Sequence, residues 1–129
     1  MTKSVVVVHD DPVFIERVVE ALRRAGHAVV VFPEPLAALH TLDDPGSDAN
    51  LLITRAQFPV GKSNGIALAR MTRSKRPDMK VLITGKEHLA EFAEGLAEFL
   101  PHPVDINELV AAAERLLIEQ ERDGSRAAA

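Results

Sequence analysis

Five short apolar runs, rich in β-branched residues, alternate along the chain with segments whose apolar residues recur at helical spacing. A continuous apolar run of about four to eight residues is typical of a strand that is buried on both faces. The pattern therefore predicts five strands, at residues 4–8, 28–32, 51–54, 80–84 and 98–100.

The segments between these strands carry helix start and stop signals. Asp11 places a side-chain acceptor directly before Pro12, and Gly26 ends the same apolar pattern. These residue types favour an N-cap, a first helical turn and a C-terminal stop. Asp105 and Glu108 form a capping-box pattern before the last apolar stretch. We predict five helices, at 12–25, 35–42, 65–75, 86–94 and from 106 to 121, and a flexible tail at 122–129 beyond a single domain of residues 1–121.

Strict alternation of strands and helices predicts an α/β fold, in which helices cover both faces of a parallel sheet. Five such units favour the flavodoxin-like, doubly wound strand order 2-1-3-4-5. Functional groups in such sheets gather at the carboxyl ends of the strands. The candidate site residues are therefore His9, Asp10, Asp11, Arg55, Thr84 and His102.

Composition narrows the class of protein. The 129 residues are 47% hydrophobic and 26% charged, which allows one packed domain, and the net charge is −4. A negative charge disfavours binding to nucleic acid or to an anionic membrane. Cysteine is absent, and the apolar run at residues 5–8 is too short to span a membrane. We therefore predict a cytoplasmic protein that binds neither nucleic acid nor a membrane.

The strand ends resemble those of bacterial two-component response-regulator receiver domains, and the likeness covers essentially the whole chain. The matching pieces, in order, are VVVVHDDP at 5–12, NLLITR at 50–55, Pro59 four residues after Arg55, GIAL at 65–68, VLITG at 81–85 and FLPHPVD at 99–105. The resemblance implies the same fold and a signalling role. It also implies acidic residues that hold Mg²⁺, a phospho-accepting aspartate, a switch hydroxyl, a switch aromatic and a lysine.

This sequence departs from the family pattern at the residues that carry its chemistry. Arg55 stands at the acceptor position, His9 at the first acidic position and His102 at the lysine position. Arginine stays protonated and is not a nucleophile. The positions that match are Asp10 in the acidic pair, Thr84 as the switch hydroxyl and Phe99 as the switch aromatic. The chain thus resembles a degenerate member of the family, a pseudo-receiver, in which we expect Mg²⁺ binding to be weak or absent.

Adjacent strand ends should bring Asp10 and Arg55 together as an ion pair in a partly buried crevice, and Asp11 is expected mainly to cap a helix. His9 and His102 do not make a good metal site, because a nearby guanidinium repels a metal cation. We therefore expect no cofactor and no catalytic residue.

We interpret the chain as a signalling module that is not phosphorylated at the usual position, is not an enzyme, and binds a protein partner or a second copy of itself. The resemblance implies a surface made by the fourth helix, the fifth strand and the fifth helix, which would include Phe92, Leu96, Phe99, Val110 and Leu117. Two alternatives stay open. One is a cofactor-binding or catalytic domain on the flavodoxin-like fold, and the other is a receiver that uses another phosphosite, such as Thr54.

Overall fold

Five parallel strands form one sheet in a computed structural model of the chain, which describes residues 4–44, 47–59 and 64–128, with side chains up to residue 123. The strand order is β2-β1-β3-β4-β5, so the predicted flavodoxin-like topology is confirmed. The strands are β1 Ser4–Val8, β2 Ala28–Phe32, β3 Ala49–Arg55, β4 Lys80–Gly85 and β5 Glu98–Pro101.

Helices connect these strands and cover both faces of the sheet. They are α1 Pro12–Arg24, α2 Pro35–Asp43, α3 Gly65–Lys75, a 3₁₀ helix Glu87–Ala93 and α4 Ile106–Ala128. The predicted fourth helix is thus the 3₁₀ helix, and the predicted fifth helix is α4. The five predicted helices are all present, and their first residues agree with the prediction to within one residue.

Side-chain caps explain where three of the helices begin. Asp11 Oδ1 accepts a hydrogen bond from the Val13 amide at 3.0 Å, and Asn64 Oδ1 accepts one from the Ile66 amide at 2.6 Å. Asp105 Oδ1 accepts from the amides of Asn107 and Glu108, at 2.7 and 3.2 Å. Each bond satisfies an amide that has no partner within its helix, which fixes the register of the first turn.

The core consists of two apolar layers, one on each face of the sheet. Alternate residues of a strand point to opposite faces, so Val5 and Val7 enter one layer and Val6 and Val8 enter the other. The first layer is closed by α1 and α4, and the second by α2 and α3. The central strands β1, β3 and β4 are therefore largely buried, and their carboxyl ends form a closely packed platform for the side chains that follow them.

The last helix continues further than the sequence pattern indicates. Its backbone is helical to Ala128, across the residues that were predicted to form a tail, and the flexibility of 122–129 stays a prediction. Polar contacts hold its final turns near the amino ends of the strands. Lys80 Nζ lies 2.6 Å from Asp123 Oδ2, and Asn50 Nδ2 donates to Gln120 Oε1 at 3.2 Å.

Candidate functional site

An ion pair lies at the carboxyl edge of the sheet, between the last residue of β3 and the loop after β1. Arg55 Nη1 is 2.6 Å from Asp10 Oδ1, and the two side chains are 34% and 27% exposed. The predicted pair between Asp10 and Arg55 is therefore confirmed, as is its partial burial. The guanidinium of Arg55 occupies the end of the strand at which the resemblance places a phospho-accepting carboxylate.

The Asp11 side chain forms no hydrogen bond or ion pair with Asp10 or Arg55. Its side chain is exposed and caps α1 through the Val13 amide, as predicted, while its own amide donates to His9 Nδ1 at 3.1 Å. Asp11 therefore acts on the site in two ways: its backbone amide fixes the ring of His9, and the negative charge of its carboxylate opposes the lowering of the His9 pKa.

His9 is a buried, neutral residue of this site. It is only 4% exposed, and its ring stacks on Phe14 with ring centroids 4.1 Å apart. Burial, followed by the positive charge of Arg55, lowers the pKa of His9 from 6.5 to about 4. Because Nδ1 accepts the Asp11 amide, the proton of the neutral ring lies on Nε2. His9 Nδ1 lies 3.9 Å from Asp10 Oδ1, but because the ring is neutral the two groups do not form an ion pair at neutral pH.

His102 follows β5 and is exposed, and its amide donates to the Gly85 carbonyl at 2.8 Å. Partial desolvation of the ring, followed by the charge of Arg55, lowers the pKa of His102 below its usual 6.5. At neutral pH the position where the resemblance places a lysine therefore carries no positive charge.

Thr84 lies beside Arg55, because the two residues are paired in the register of β3 and β4. Its side chain is fully buried, and its hydroxyl has no hydrogen-bond partner among the described residues. Thr54 precedes Arg55 and therefore faces the opposite side of the sheet, as predicted. Its buried hydroxyl donates to the Arg55 carbonyl at 3.0 Å.

The surface predicted around the fourth helix, the fifth strand and the fifth helix is only partly exposed. Phe92 on the 3₁₀ helix is 46% exposed, while Leu96 and Phe99 are half-buried against the layer beneath α2 and α3. Leu117 is 2% exposed and therefore does not contribute to an exposed surface. The periodicity of α4 turns Leu117 toward the sheet, where it packs in the layer shared with α1.

Val110 lies on another flank of α4. Glu114, one turn further on, contacts His27 after α1 at 2.6 Å, which places this flank toward α1 rather than toward β5. The flank toward β5 is marked by Arg115, which forms an ion pair with Glu98. Ile118, which the sequence pattern did not single out, is 52% exposed.

A cleft of about 250 Å³ opens at the carboxyl ends of β3 and β4, beside the ion pair. Lys86, directly after β4, was not recognised from the sequence, although its place at a strand end was a usable signal. The Lys86 side chain is exposed and has no hydrogen bond or ion pair with the described residues, while its backbone carbonyl accepts from the Leu89 amide at 2.9 Å. The side chains that form the cleft include Arg55, Phe58, Pro59, Lys86, Leu89 and His102.

The donor set at this edge does not fit the Mg²⁺ ion that receiver domains hold. Mg²⁺ requires oxygen ligands in a near-octahedral arrangement, whereas a guanidinium already lies against Oδ1 of Asp10. Residues 4–44, 47–59 and 64–123 contain no group of three or more His, Asp or Glu side chains that could hold a metal ion.

Proteins similar to this chain include transcriptional regulators and response-regulator receiver domains. No family model matches the chain. The chain is 30% identical over 123 residues to the DNA-binding transcriptional regulator NtrC of Azospirillum brasilense, an alignment that covers 91% of the chain and 25% of that protein. For the NtrC of Rhizobium meliloti strain 1021 the identity is 28% over 132 positions, which cover 98% of the chain and 26% of that protein. The chain thus spans about a quarter of the length of these curated relatives.

Solved structures agree on the fold. A CheY-like response-regulator receiver domain protein from Methanospirillum hungatei JF-1 superimposes with a TM-score of 0.82 at 20% identity, over 95% of this chain and 99% of that one. The chain therefore has the fold of a response-regulator receiver domain. Within the described part of the chain, no helix has the length and apolar character needed to cross a membrane.

Proposed function

We propose that this chain, a receiver domain by fold, is a pseudo-receiver of two-component signal transduction that is not phosphorylated at the usual position and acts by binding protein. The observation that carries this proposal is the 2.6 Å contact between Arg55 and Asp10. A guanidinium at the end of β3 cannot attack a phosphorus atom, because it stays protonated at any working pH.

The surrounding residues support the same proposal. Phosphoryl transfer depends on positioning and on cations that neutralise the transferred group. Here His102 is neutral at pH 7, His9 is neutral and buried, and Asp10 is already bonded to Arg55. Nothing supports Thr54 as a substitute phosphosite, since its hydroxyl is buried and bonded to a backbone carbonyl. No observation favours a catalytic or cofactor-binding role.

We propose that the 3₁₀ helix, β5 and the flank of α4 next to β5 form the protein-binding surface. Exposed Phe92 and Ile118 supply apolar contacts, and the pair of Arg115 with Glu98 supplies charges at its centre. The net charge of −4 argues that this domain itself contacts protein rather than DNA, and we propose that it acts in the cytoplasm. Binding to DNA is a property named for the much longer NtrC relatives.

The test is intact-mass measurement after incubation with acetyl phosphate and Mg²⁺. We expect an unchanged mass, with a phosphorylatable receiver domain treated in parallel as the positive control. A mass increase of one phosphoryl group, mapped to any residue at the carboxyl edge of the sheet, would overturn the proposal.

A further inference from the structure

We propose that the cleft beside Arg55 reversibly binds a small organic monocarboxylate with an apolar body. The cleft combines two cationic side chains, those of Arg55 and Lys86, with apolar walls that include Phe58, Pro59 and Leu89. Small-molecule sites are typically concave and largely apolar, with a few polar groups that converge on one part of the ligand. A volume of about 250 Å³ lies just below the usual range for drug-sized ligands, so the ligand must be small.

The charges around the cleft match a single negative charge. Arg55 and Lys86 are positive, Asp10 cancels one of these charges through its contact with Arg55, and His102 is neutral at pH 7. Among the described residues that line the cleft or pair with those that do, one positive charge is therefore left. Asp11, exposed at the start of α1, adds negative charge nearby and disfavours a dianion such as phosphate.

The donors suit a carboxylate in particular. Arg55 donates to Asp10 through Nη1, so Nε and Nη2 have no partner among the described residues. A guanidinium presents its N–H groups as a planar fork that matches a carboxylate. The ammonium group of Lys86 also has no partner in the described part of the chain and adds a mobile point charge. The half-apolar walls would contact a hydrocarbon or aromatic body, whereas a strongly hydrated phosphate would gain nothing from them.

This carboxylate site rests on the proposed function, because the cleft must stay free of a covalent phosphoryl group. The two fail separately: intact mass tests phosphorylation, and a titration with unmodified protein tests ligand binding. The titration follows backbone amide signals of Gly85, Lys86 and Leu89 by nuclear magnetic resonance. The probes are benzoate, acetate and inorganic phosphate, each compared with chloride at the same ionic strength.

We expect benzoate to shift these signals saturably and to bind more tightly than acetate or phosphate. Lys86→Gln should weaken benzoate binding about fivefold, which is the upper range for an exposed charge pair. The variant should still fold, because the Lys86 side chain has no hydrogen bond or ion pair with the described residues. Lys75→Gln is the matched control, since Lys75 lies at the far end of α3 and pairs with Asp43, and it should leave binding unchanged.

Three results would overturn this site. They are a benzoate titration without saturable shifts, phosphate binding at least as tightly as benzoate, and equal weakening by Lys86→Gln and Lys75→Gln. The second result would mean that the cleft recognises charge alone, and the third would mean that benzoate responds only to the net charge of the domain.

Discussion

Gly65, the first residue of α3, lies directly against the backbone carbonyl of Arg55. A Cβ atom at Gly65 would stand 1.8 Å from the Arg55 oxygen and 2.9 Å from Thr54 Oγ1, and the Gly65 amide donates to the Ala56 carbonyl at 3.0 Å. This contact presses the start of a helix onto the strand end that carries the guanidinium, so the position of Arg55 depends on the absence of a side chain at residue 65.

Gly65→Ala is therefore expected to destabilise the domain by at least the upper part of the range for overpacking, about 1–3 kcal/mol, because the obstacle is backbone and cannot rotate away. Urea denaturation measures this loss. Gly26→Ala is the comparison, since a Cβ there meets no atom within 4 Å and only the φ of 95° is unfavourable, at about 1–2 kcal/mol. Equal losses in the two variants would mean that α3 moves away from Arg55 at little cost.

Removal of the ion pair should lower stability by an amount between those of exposed and buried pairs. Arg55→Ala is expected to cost about 1–3 kcal/mol, since the pair is partly buried and Asp10 would lose its partner. Arg24→Ala removes an exposed pair with Glu20 on α1 and should cost at most about 0.5 kcal/mol. Thermal and urea denaturation of both variants provide the test, and equal costs would show that Asp10 gains nothing from Arg55.

Arg55→Asp should be less stable than Arg55→Ala in the absence of metal, because it adds a carboxylate beside Asp10 and Asp11. Millimolar Mg²⁺ should recover part of the loss in this variant by binding the folded form alone, and it should leave the wild type unchanged. The melting temperatures of the wild type and the variants, measured with and without Mg²⁺, test this prediction. A metal-free Arg55→Asp protein as stable as the wild type, with no response to Mg²⁺, would contradict the ion-pair account.

Acid should weaken the fold through His9. Its pKa is about 4 in the folded protein and 6.5 in the unfolded chain, so between these values the unfolded state binds more protons. The stabilising contribution of the neutral ring is complete above pH 6.5 and is lost as the pH falls toward 4. Each pKa unit corresponds to about 1.4 kcal/mol, so the loss is at most about 3.5 kcal/mol.

His9→Asn provides the comparison, because an asparagine oxygen can still accept the Asp11 amide but does not titrate. This variant should be less stable at pH 7, where it lacks the stack on Phe14, and should lose less stability than the wild type between pH 6.5 and 4. Every other titratable group is the same in the two proteins, so the difference isolates His9. Parallel pH profiles for the two proteins would contradict this assignment.

Self-association should depend on the surface formed by the 3₁₀ helix, β5 and α4. We expect a homodimer at high micromolar concentration that dissociates in Phe92→Glu, because an introduced carboxylate would be buried against the partner. Val30→Glu, which changes an equally exposed apolar residue on the opposite edge strand, should leave the dimer intact. Sedimentation velocity measures both; a wild type that is monomeric throughout would leave a different protein as the partner.

Local sequence signals predicted the fold because each acts within a few residues. The runs at 4–8 and 28–32 match β1 and β2 residue for residue, since continuous β-branched segments leave little choice of element. The pair of Asp10 with Arg55 could be predicted for a different reason. Parallel topology brings the ends of β1 and β3 together whatever the loops between them do.

Which residues of the predicted surface stay exposed could not be read from the sequence, because that depends on the rotation of α4 about its axis. Leu117 is turned inward and Val110 toward α1 because distant residues, among them His27, set the orientation of α4. The length of α4 was underestimated for a similar reason. Gly124 and Ser125 resemble helix-ending residues locally, whereas the contacts of Asn50 and Lys80 with the helix come from far along the chain.

The guanidinium at the end of β3 also changes how long such a module could stay in an activated state after a stimulus. A covalent phosphoryl group persists after the stimulus that led to its transfer, until it is hydrolysed. An ion pair within the fold does not depend on an earlier stimulus, because it forms when the protein folds and lasts as long as the folded protein does. The state of such a domain would therefore follow the current concentrations of the domain itself, of its partner or of a bound ligand. It would not persist after those concentrations change.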